Sequence, residues 1–457
     1  MSESDEMSLT RRAALGTVAA AAAGFALFGP RPLRDPRDGR TLVTYWEKWT
    51  GYEADAMRAT VRAFNESQDR IRVRFLTVDR LDQKAKIAIA AHDPPDVLGV
   101  WTHNLAEYSE SGSAEPLDDL IDTYGLGDSA YLPAFRDFVN YRGRRMAALA
   151  SVSSCLLYYN RQAFAEAGLD PDRPPRTFDE LAEFARKLTV ESPDGELERI
   201  GMHPLEPPWW PWSWAHYGGE SVWSGPADRS GGRPRIADDA VVGVYDRLYR
   251  LLIEPHGADR LNRFLQGNGP YNSTDNGFLS GRVAMVMQGA FLANVIDRHA
   301  PNLDYGAAAM PVDEYTPDRP RGAIEADLLM IPKGCRSPEA AMEFVAFTQR
   351  RGPMESLALA HRKFSPLTEV STAFAEEHPN PFIDDHRAVA SGPGAFHIPL
   401  SPIWTEYRAE LNVAVNRVMS GRSTARDAFA LAQSRTELRV EHLERKRRVR
   451  ASRGGIG

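Results

Sequence analysis

The spacing of apolar residues changes repeatedly between strand and helix periods in the first part of the chain. Met57, Val61 and Phe64 recur on one helical face, whereas the flanking apolar runs alternate or are continuous. The predicted elements are strands at 41–46, 71–78 and 95–101 and helices at 53–67 and 80–92. Strand, helix, strand, helix, strand in this order predicts a parallel sheet with right-handed crossovers.

The same pattern returns later in the chain. Thr177 precedes a helical stretch and Glu180 follows three residues on, which predicts a capping box, and Ser337 with Pro338 predicts another helix start. The further predicted elements are strands at 153–160, 282–288, 304–311 and 327–334 and helices at 161–167, 178–189 and 337–350. The whole pattern predicts an α/β protein with two lobes.

The composition agrees with a two-lobed α/β protein and gives information on its partners. A chain of 457 residues with 43% hydrophobic and 26% charged residues is typical of a globular protein with more than one domain. The net charge of −7 gives no reason to expect a nucleic-acid partner. The basic tail, 436–457, is interpreted as a solvated helix end.

Motifs for chemistry are missing from the sequence. It contains no phosphate-binding loop, no nucleophile elbow and no zinc-protease motif, and its histidines lack metal-ligand spacing. Cys155 and Cys335 form no C-x-x-C pair, and we expect two free, buried thiols, with a single bridge between them as the alternative. We therefore expect no catalytic residues, no metal and no cofactor.

Residues 1–40 predict an export signal and a linker. Arg11 and Arg12 precede an apolar run from Ala13 to Phe28, which is shorter than the roughly 20 residues of a membrane-spanning helix. The paired arginines indicate twin-arginine export. We expect a periplasmic or cell-surface protein whose signal is either cleaved or kept as an anchor.

Tryptophan is concentrated in the stretch PPWWPWSWAHYGG, residues 207–219. Three prolines make a central strand implausible there, so the stretch predicts a loop that presents flat rings. Ligands of open α/β sheets bind beyond the carboxyl ends of the strands. Further tryptophans, Trp46, Trp49 and Trp101, stand at such ends, which predicts an aromatic binding site.

Four ordered segments resemble the extracellular solute-binding proteins of ABC importers, in the sugar-binding, maltose-binding-like group. LLYYNRQAFAEAGLDPDRPPRTFDELAEFARKLT (156–189) resembles that family's Y-N-x-x-x-F-x-x-A-G-L segment and the helix that follows it. The other three are FLSGRVAMVMQGAF (278–291), GAIEADLLMIPKGCRSPEAAMEFVAF (322–347) and PLSPIWTEYRAELN (399–412).

The resemblance implies two lobes that close on a sugar by a hinge motion. The protein would then deliver the sugar to a membrane permease without altering it chemically. The predicted lobes are 41–150 with 305–350 and 151–304 with 351–435, in a monomer. Aromatic rings would stack on the sugar, although at least two of the four clustered tryptophans should only pack. The predicted ligand-binding residues are Trp46, Glu47, Trp49, Trp101, Asn104, Trp210, Trp212, Trp214, Gln288, Glu325, Trp404 and Arg408.

Two alternatives stay open at this point. A secreted carbohydrate-active enzyme would use the same aromatic cleft. A binding protein for a polyol, a glycerol phosphate ester or a cationic compound would keep the fold. Glu47 and Glu325 would favour a cation, whereas a phosphate would need Lys48, Arg362 or Lys363.

Overall fold

The computed structural model describes residues 33–118, 123–124, 127–225, 232–313 and 320–452. Twelve strands are present in these ranges, and most of the strands predicted from the sequence are confirmed with boundaries shifted by a few residues. The strands are β1 (Thr41–Glu47), β2 (Ile71–Thr77), β3 (Val97–Trp101), β4 (Asn140–Tyr141), β5 (Arg144–Arg145), β6 (Ala148–Asn160), β7 (Val190–Glu191), β8 (Leu197–His203), β9 (Val283–Gly289), β10 (Tyr305–Ala308), β11 (Arg321–Met330) and β12 (Gly394–Phe396).

The predicted helices are confirmed, and the structure adds several in the later part of the chain. The helices are α1 (Gly51–Ser67), α2 (Leu81–Ala90), α3 (Thr102–Glu110), α4 (Arg161–Glu166), α5 (Phe178–Leu188), α6 (Ser213–Tyr217), α7 (Asp239–Leu252), α8 (Ala258–Gln266), α9 (Leu292–His299), α10 (Pro338–Thr348), α11 (Arg351–His361), α12 (Thr372–Glu376), α13 (Ile383–Ser391), α14 (Trp404–Met419) and α15 (Ala425–Ser452).

One continuous sheet runs through both lobes in the order β2-β1-β3-β11-β6-β9-β8-β7, with β10 paired to β6 and β12 to β11. In the first lobe β1 is parallel to β2 and β3, as the sequence predicts. In the second lobe β8 is parallel to β9. The carboxyl ends of β1 and β3 therefore meet at one edge of the sheet, which positions their following loops together.

Two long antiparallel strands join the lobes. The first half of β6 pairs with β11, from Ala148 to Ser154, and the second half pairs with β9, from Cys155 to Tyr159. β11 in turn pairs with β3 through Asp327 to Met330. Side chains in the middle of both strands consequently lie between the two lobes.

Helix caps follow the predicted chemistry only in part. The Thr177 hydroxyl accepts a hydrogen bond from the Glu180 backbone N–H at 3.1 Å, which confirms the first half of the capping box. The Glu180 carboxylate binds the backbone N–H of Arg176 rather than that of Thr177. Ser337 occupies the cap position of α10, but its side chain makes no cap hydrogen bond.

Separate hydrophobic cores stabilise the lobes. Two clusters flank β1 and β3 in the first lobe, and two others flank the second half of β6 in the second lobe. Arg351–His361 packs against α1, and Tyr305–Ala308 pairs with the second half of β6. The assignment of residue ranges to lobes stays a prediction.

The ends of the chain differ in what the structure describes. The predicted signal at 1–32 lies outside the described residues, whereas the linker at 33–40 folds back on β1 through a bridge between Arg34 and Thr41. At the other end, the exposed Arg445, Lys446 and Arg448 fit the expected solvated helix. Arg447 instead makes two 3.0 Å hydrogen bonds to the Glu110 carboxylate of the first lobe.

Both cysteines are free, as expected, with Cys155 buried and Cys335 half-buried. Their thiols lie in different surroundings, one on a crossing strand and the other beside Asp96. Across the described ranges, no helix combines the length and the apolar character needed to cross a membrane.

Candidate functional site

A cleft of about 440 Å³ lies between the lobes and receives side chains from both. Seven of the predicted ligand-binding residues line it. They are Trp49, Trp101, Trp210, Trp212, Glu325, Trp404 and Arg408. The crossing strand β11 contributes its central residues to the floor, so the cleft forms where the lobes meet.

One side of the cleft is aromatic. We call the rings of Trp209, Trp210, Trp212, Tyr271, Phe291 and Trp404 the aromatic wall. Trp212 meets Trp404 edge-on at 5.7 Å between ring centroids, and Trp209 meets Tyr271 at 5.4 Å. Edge-to-face packing holds each ring in one orientation, which gives the wall a fixed shape.

The proline-rich sequence explains why the tryptophans form a loop. Pro207, Pro208 and Pro211 offer no backbone N–H, so this stretch cannot continue a sheet ladder. The chain turns instead, with the Trp210 N–H donated to the Pro207 carbonyl and the Ser213 hydroxyl to the Trp210 carbonyl. α6 begins directly afterwards, and the turn directs Trp210 and Trp212 into the cleft.

Trp101 provides the most accessible ring of the site. It is 43% exposed at the end of β3, and its ring stacks on that of His103 at 5.5 Å with an angle of 11°. Burial, together with the nearby charges of Arg408 and Lys48, lowers the pKa of His103 to about 3, so the imidazole is neutral at pH 7. The pair forms a flat, uncharged platform at the start of α3.

A second part of the cleft is built from paired charges. We call Glu47, Lys48, Asp327, Lys363 and Glu53 the charged wall. Asp327 lies 3.0 Å from the Lys48 ammonium and 3.6 Å from that of Lys363. Lys48 also reaches Glu47 at 3.2 Å, and Lys363 reaches Glu53 at 3.4 Å. Three carboxylates and two ammonium groups therefore alternate along one chain of contacts.

In the charged wall, burial and ion pairing shift the pKa values of the side chains in opposite directions. Burial raises the pKa of Asp327 and the two lysines lower it, with a net shift downward. Burial lowers the pKa of each lysine, but the neighbouring carboxylates raise it to a net upward shift. Asp327 and both lysines are thus held in their charged forms, which makes them strong hydrogen-bonding groups.

Glu325 and Arg408 stand between the two walls. The pKa of Glu325 is raised to about 7, because burial and the nearby Asp327 raise it more than Lys363 and the Trp210 indole lower it. Burial also lowers the pKa of Arg408, and Glu325 opposes that shift. Both residues therefore present polar atoms to the cleft in surroundings of low polarity.

Five predicted residues lie outside the cleft lining. Trp46 and Trp214 are fully buried in the two lobes, and the Trp214 indole donates to the Pro204 carbonyl at 2.7 Å. Asn104 is buried on α3 within 3.5 Å of Asp82, and Gln288 is buried on β9. Glu47 accepts backbone N–H groups of the next two residues beneath the cleft surface.

Sequence reasoning missed several residues that line the cleft. They are Glu53, Tyr271, Phe291 and Asp327, whereas Trp209 in the tryptophan-rich stretch and His103 after β3 lie in segments where the sequence predicts a site. Asp327 follows Glu325 by two positions on a strand, so the period of 2 places both on one face and could have indicated it. Lys48 and Lys363, considered only for a phosphate ligand, do line the cleft, whereas Arg362 pairs with Asp297 at 2.8 Å.

This geometry defines a class of protein. Two lobes joined by crossing strands, with a cleft lined from both sides, form the fold of a binding protein that closes on a small solute. The model of the bacterial extracellular solute-binding protein family matches residues 50–352, and the chain belongs to that family. The predicted fold class and the assignment as a solute-binding protein are confirmed. The protein is accordingly an exported one.

Individual relatives are distant. The sn-glycerol-3-phosphate-binding periplasmic protein UgpB of Escherichia coli K12 is 24% identical over 378 residues, covering 79% of this chain and 81% of its own. Among solved structures, CpMnBP1 with mannobiose bound is 23% identical with a TM-score of 0.76, covering 86% of this chain and 98% of its own. The cyclic alpha-maltosyl-1,6-maltose binding protein from Arthrobacter globiformis is 18% identical with a TM-score of 0.69, covering 88% and 100%.

Proposed function

We propose that the protein binds a carbohydrate in the cleft, as the substrate-binding component of an ABC-type importer, and delivers it to a membrane permease. The observation that carries the proposal is the pairing of two surfaces around one cavity. The aromatic wall and the Trp101 platform present flat apolar rings, and the charged wall presents ionised hydrogen-bonding groups.

A sugar ring suits both surfaces at once. One face of a pyranose consists of C–H bonds that pack on an aromatic ring, and each hydroxyl both donates and accepts hydrogen bonds. Carboxylates such as Asp327 accept from hydroxyls, and ammonium groups such as Lys48 donate to them. A cavity of about 440 Å³ lies within the usual range for a small-molecule site and accommodates a disaccharide.

Some of the similar proteins support a sugar as the ligand, and others support a different compound. One structural neighbour has mannobiose bound, and another is named as a binding protein for cyclic alpha-maltosyl-1,6-maltose; both ligands are oligosaccharides. The relative from Escherichia coli K12 is named as a binding protein for sn-glycerol 3-phosphate, which makes a phosphate ester the specific alternative. The charges in the cleft favour the sugar, because both lysines already have carboxylate partners.

Further parts of the proposal concern the whole molecule. We infer a monomer without enzymatic activity, exported by its N-terminal signal and located in the periplasm or at the cell surface. The ligand-binding residues are those of the cleft lining, and the lobes divide at the crossing strands β6 and β11.

A thermal-shift screen of the purified full chain tests the proposal. The panel contains mono-, di- and oligosaccharides, polyols, sugar phosphates and sn-glycerol 3-phosphate. A ligand at 100 times its dissociation constant adds roughly 2.7 kcal/mol to stability, which raises the melting temperature measurably. A rise with one class of saccharide supports the proposal, and a rise only with polyols or phosphate esters contradicts it.

An enzyme control completes that test. Each saccharide that raises the melting temperature is incubated with the protein, and newly formed reducing ends are measured. Release of reducing ends would replace the binding-protein proposal with a carbohydrate-active enzyme.

A further inference from the structure

The charged wall contains an unusual arrangement of a single carboxylate between two buried ammonium groups. Asp327 contacts Lys48 through one oxygen at 3.0 Å and Lys363 through the other at 3.6 Å. The side chains of the two lysines are only 3% and 4% exposed, and that of Asp327 is 13% exposed. Asp327 thus stands at the cleft surface, in front of two cations that are almost wholly desolvated.

Each lysine also has a second carboxylate partner and lies near an aromatic ring. Lys48 binds Glu47 and lies 4.6 Å above the Trp49 ring, while Lys363 binds Glu53 and lies 5.7 Å from the centroid of Phe291. Each ammonium has three N–H donors and two carboxylate partners, so an anion bound to the remaining donor would lie beside those carboxylates. In a place with little water, these like charges would repel the anion strongly.

The charge balance of the whole cleft also disfavours an anionic ligand. Glu47, Glu53 and Asp327 face three cations, Lys48, Lys363 and Arg408. Glu325, whose pKa is raised to about 7, adds a fourth carboxyl group that is partly ionised at pH 7 and lies near Arg408. A neutral hydroxyl group can bridge such pairs without changing the balance, whereas a phosphate adds negative charge to a site whose cations are already matched by carboxylates.

We propose that Asp327 is a specificity-determining residue, which occupies the two lysines and restricts this cleft to uncharged solutes. The inference rests on the proposed function, since it concerns the ligand of the same site. It separates this protein by ligand charge from its glycerol-3-phosphate-binding relatives. Removal of the Asp327 charge should convert the two lysines into a site for phosphate.

The test compares Asp327→Asn with the wild-type full chain by isothermal titration at pH 7 and low salt. The probes are inorganic phosphate, sn-glycerol 3-phosphate and the saccharide that binds the wild type. We expect no detectable phosphate binding by the wild type and, for the variant, an affinity at least about tenfold above the detection limit of the titration. Adding Lys363→Met to Asp327→Asn should abolish the gain.

A matched control separates a local effect from a change in net charge. Asp55→Asn alters charge and shape equally, but Asp55 lies on the surface with a side chain 73% exposed. This control should gain no phosphate affinity. If Asp327→Asn fails to fold, Glu53→Gln frees one side of Lys363 and should show a smaller gain in the same direction.

The outcomes distinguish the two proposals. If the wild type binds a saccharide and neither folded variant gains phosphate affinity, the role of Asp327 is overturned and the proposed function stands. If the wild type binds phosphate esters and no saccharide, both are overturned. If the wild type binds both kinds of ligand, only the exclusion of anions is wrong.

Discussion

The aromatic wall and the charged wall enclose the same cleft but are stabilised in different ways. Rings such as Trp212 and Trp404 belong to a hydrophobic core that continues behind them, so their cleft faces extend ordinary packing. Asp327 and its two lysines have mostly each other, and their position depends on complete pairing. Changes in the aromatic wall should therefore mainly lower stability, whereas changes in the charged wall should mainly alter ligand selectivity.

The sharpest contrast is between Trp214, a ring of the 207–219 stretch that packs in the core, and Trp101, a ring at the end of β3 that faces the cleft. Trp214→Ala should lower the free energy of unfolding by about 3–5 kcal/mol, because it leaves a cavity and removes the partner of the Pro204 carbonyl. Thermal unfolding measures the loss. The dissociation constant of the folded variant should stay at the wild-type value, and a large rise would show that Trp214 takes part in binding.

Trp101→Ala should change stability little and weaken ligand binding strongly. Because the ring is 43% exposed and its ring and cation partners are the His103 ring and the Lys48 ammonium, 5.4 Å from its centroid, its loss should change stability by no more than about 1 kcal/mol. The dissociation constant for saccharide should rise by roughly thirtyfold, or about 2 kcal/mol, as for a central aromatic contact. Ile87→Ala, another exposed apolar residue, serves as the control for titration. Unchanged affinity in Trp101→Ala would remove the platform from the binding site.

Glu325 should make both stability and affinity depend on pH. Its pKa is raised from 4.5 to about 7, so the folded state binds more protons than the unfolded state between these values. Stability should therefore fall as pH rises from about 4.5 to about 7. Saccharide affinity should rise several-fold from pH 6 to pH 8, since the ionised carboxylate accepts hydroxyl hydrogens more strongly.

A second buried acid supplies the matched control for that pH dependence. Burial raises the pKa of Glu206 to about 7 as well, but Glu206 lines a separate cavity of about 100 Å³. Titrations across pH should show a flat affinity profile for Glu325→Gln and the wild-type slope for Glu206→Gln. A flat profile in the wild type would exclude Glu325 from ligand contact.

The smallest expected effect concerns the contact between the last helix and the first lobe. Arg447→Ala removes a bidentate pair with Glu110, and we expect a loss of about 1 kcal/mol in stability, the upper range for such pairs. Arg448→Ala, the exposed neighbour, should leave the melting temperature unchanged. Equal effects of both variants would indicate general tail charge instead of the specific contact.

The sequence predicts the fold well because its elements have clear periodicity. Met57, Val61 and Phe64 form a stripe that can be buried only as a helix, and they are buried on α1. The candidate site is predicted less completely. Trp212 and Trp214 are two positions apart in one loop, and only the turn that starts α6 decides which of them faces the cleft.

The charged wall shows the limit of sequence reasoning most clearly. Glu325 and Asp327 share a strand face, so their proximity follows from local geometry. Lys363 comes from a segment after α11, and no local pattern connects it with Glu53 or with Asp327. Contacts between distant segments depend on how the elements pack, which hydrophobic patterning alone does not specify.

The most direct test of the central claim is a side-by-side isothermal titration of the wild-type full chain with a saccharide panel and with sn-glycerol 3-phosphate. The account predicts binding of at least one di- or trisaccharide and no detectable heat from the phosphate ester. Binding of the phosphate ester without any saccharide would contradict both the assigned ligand class and the role of the charged wall.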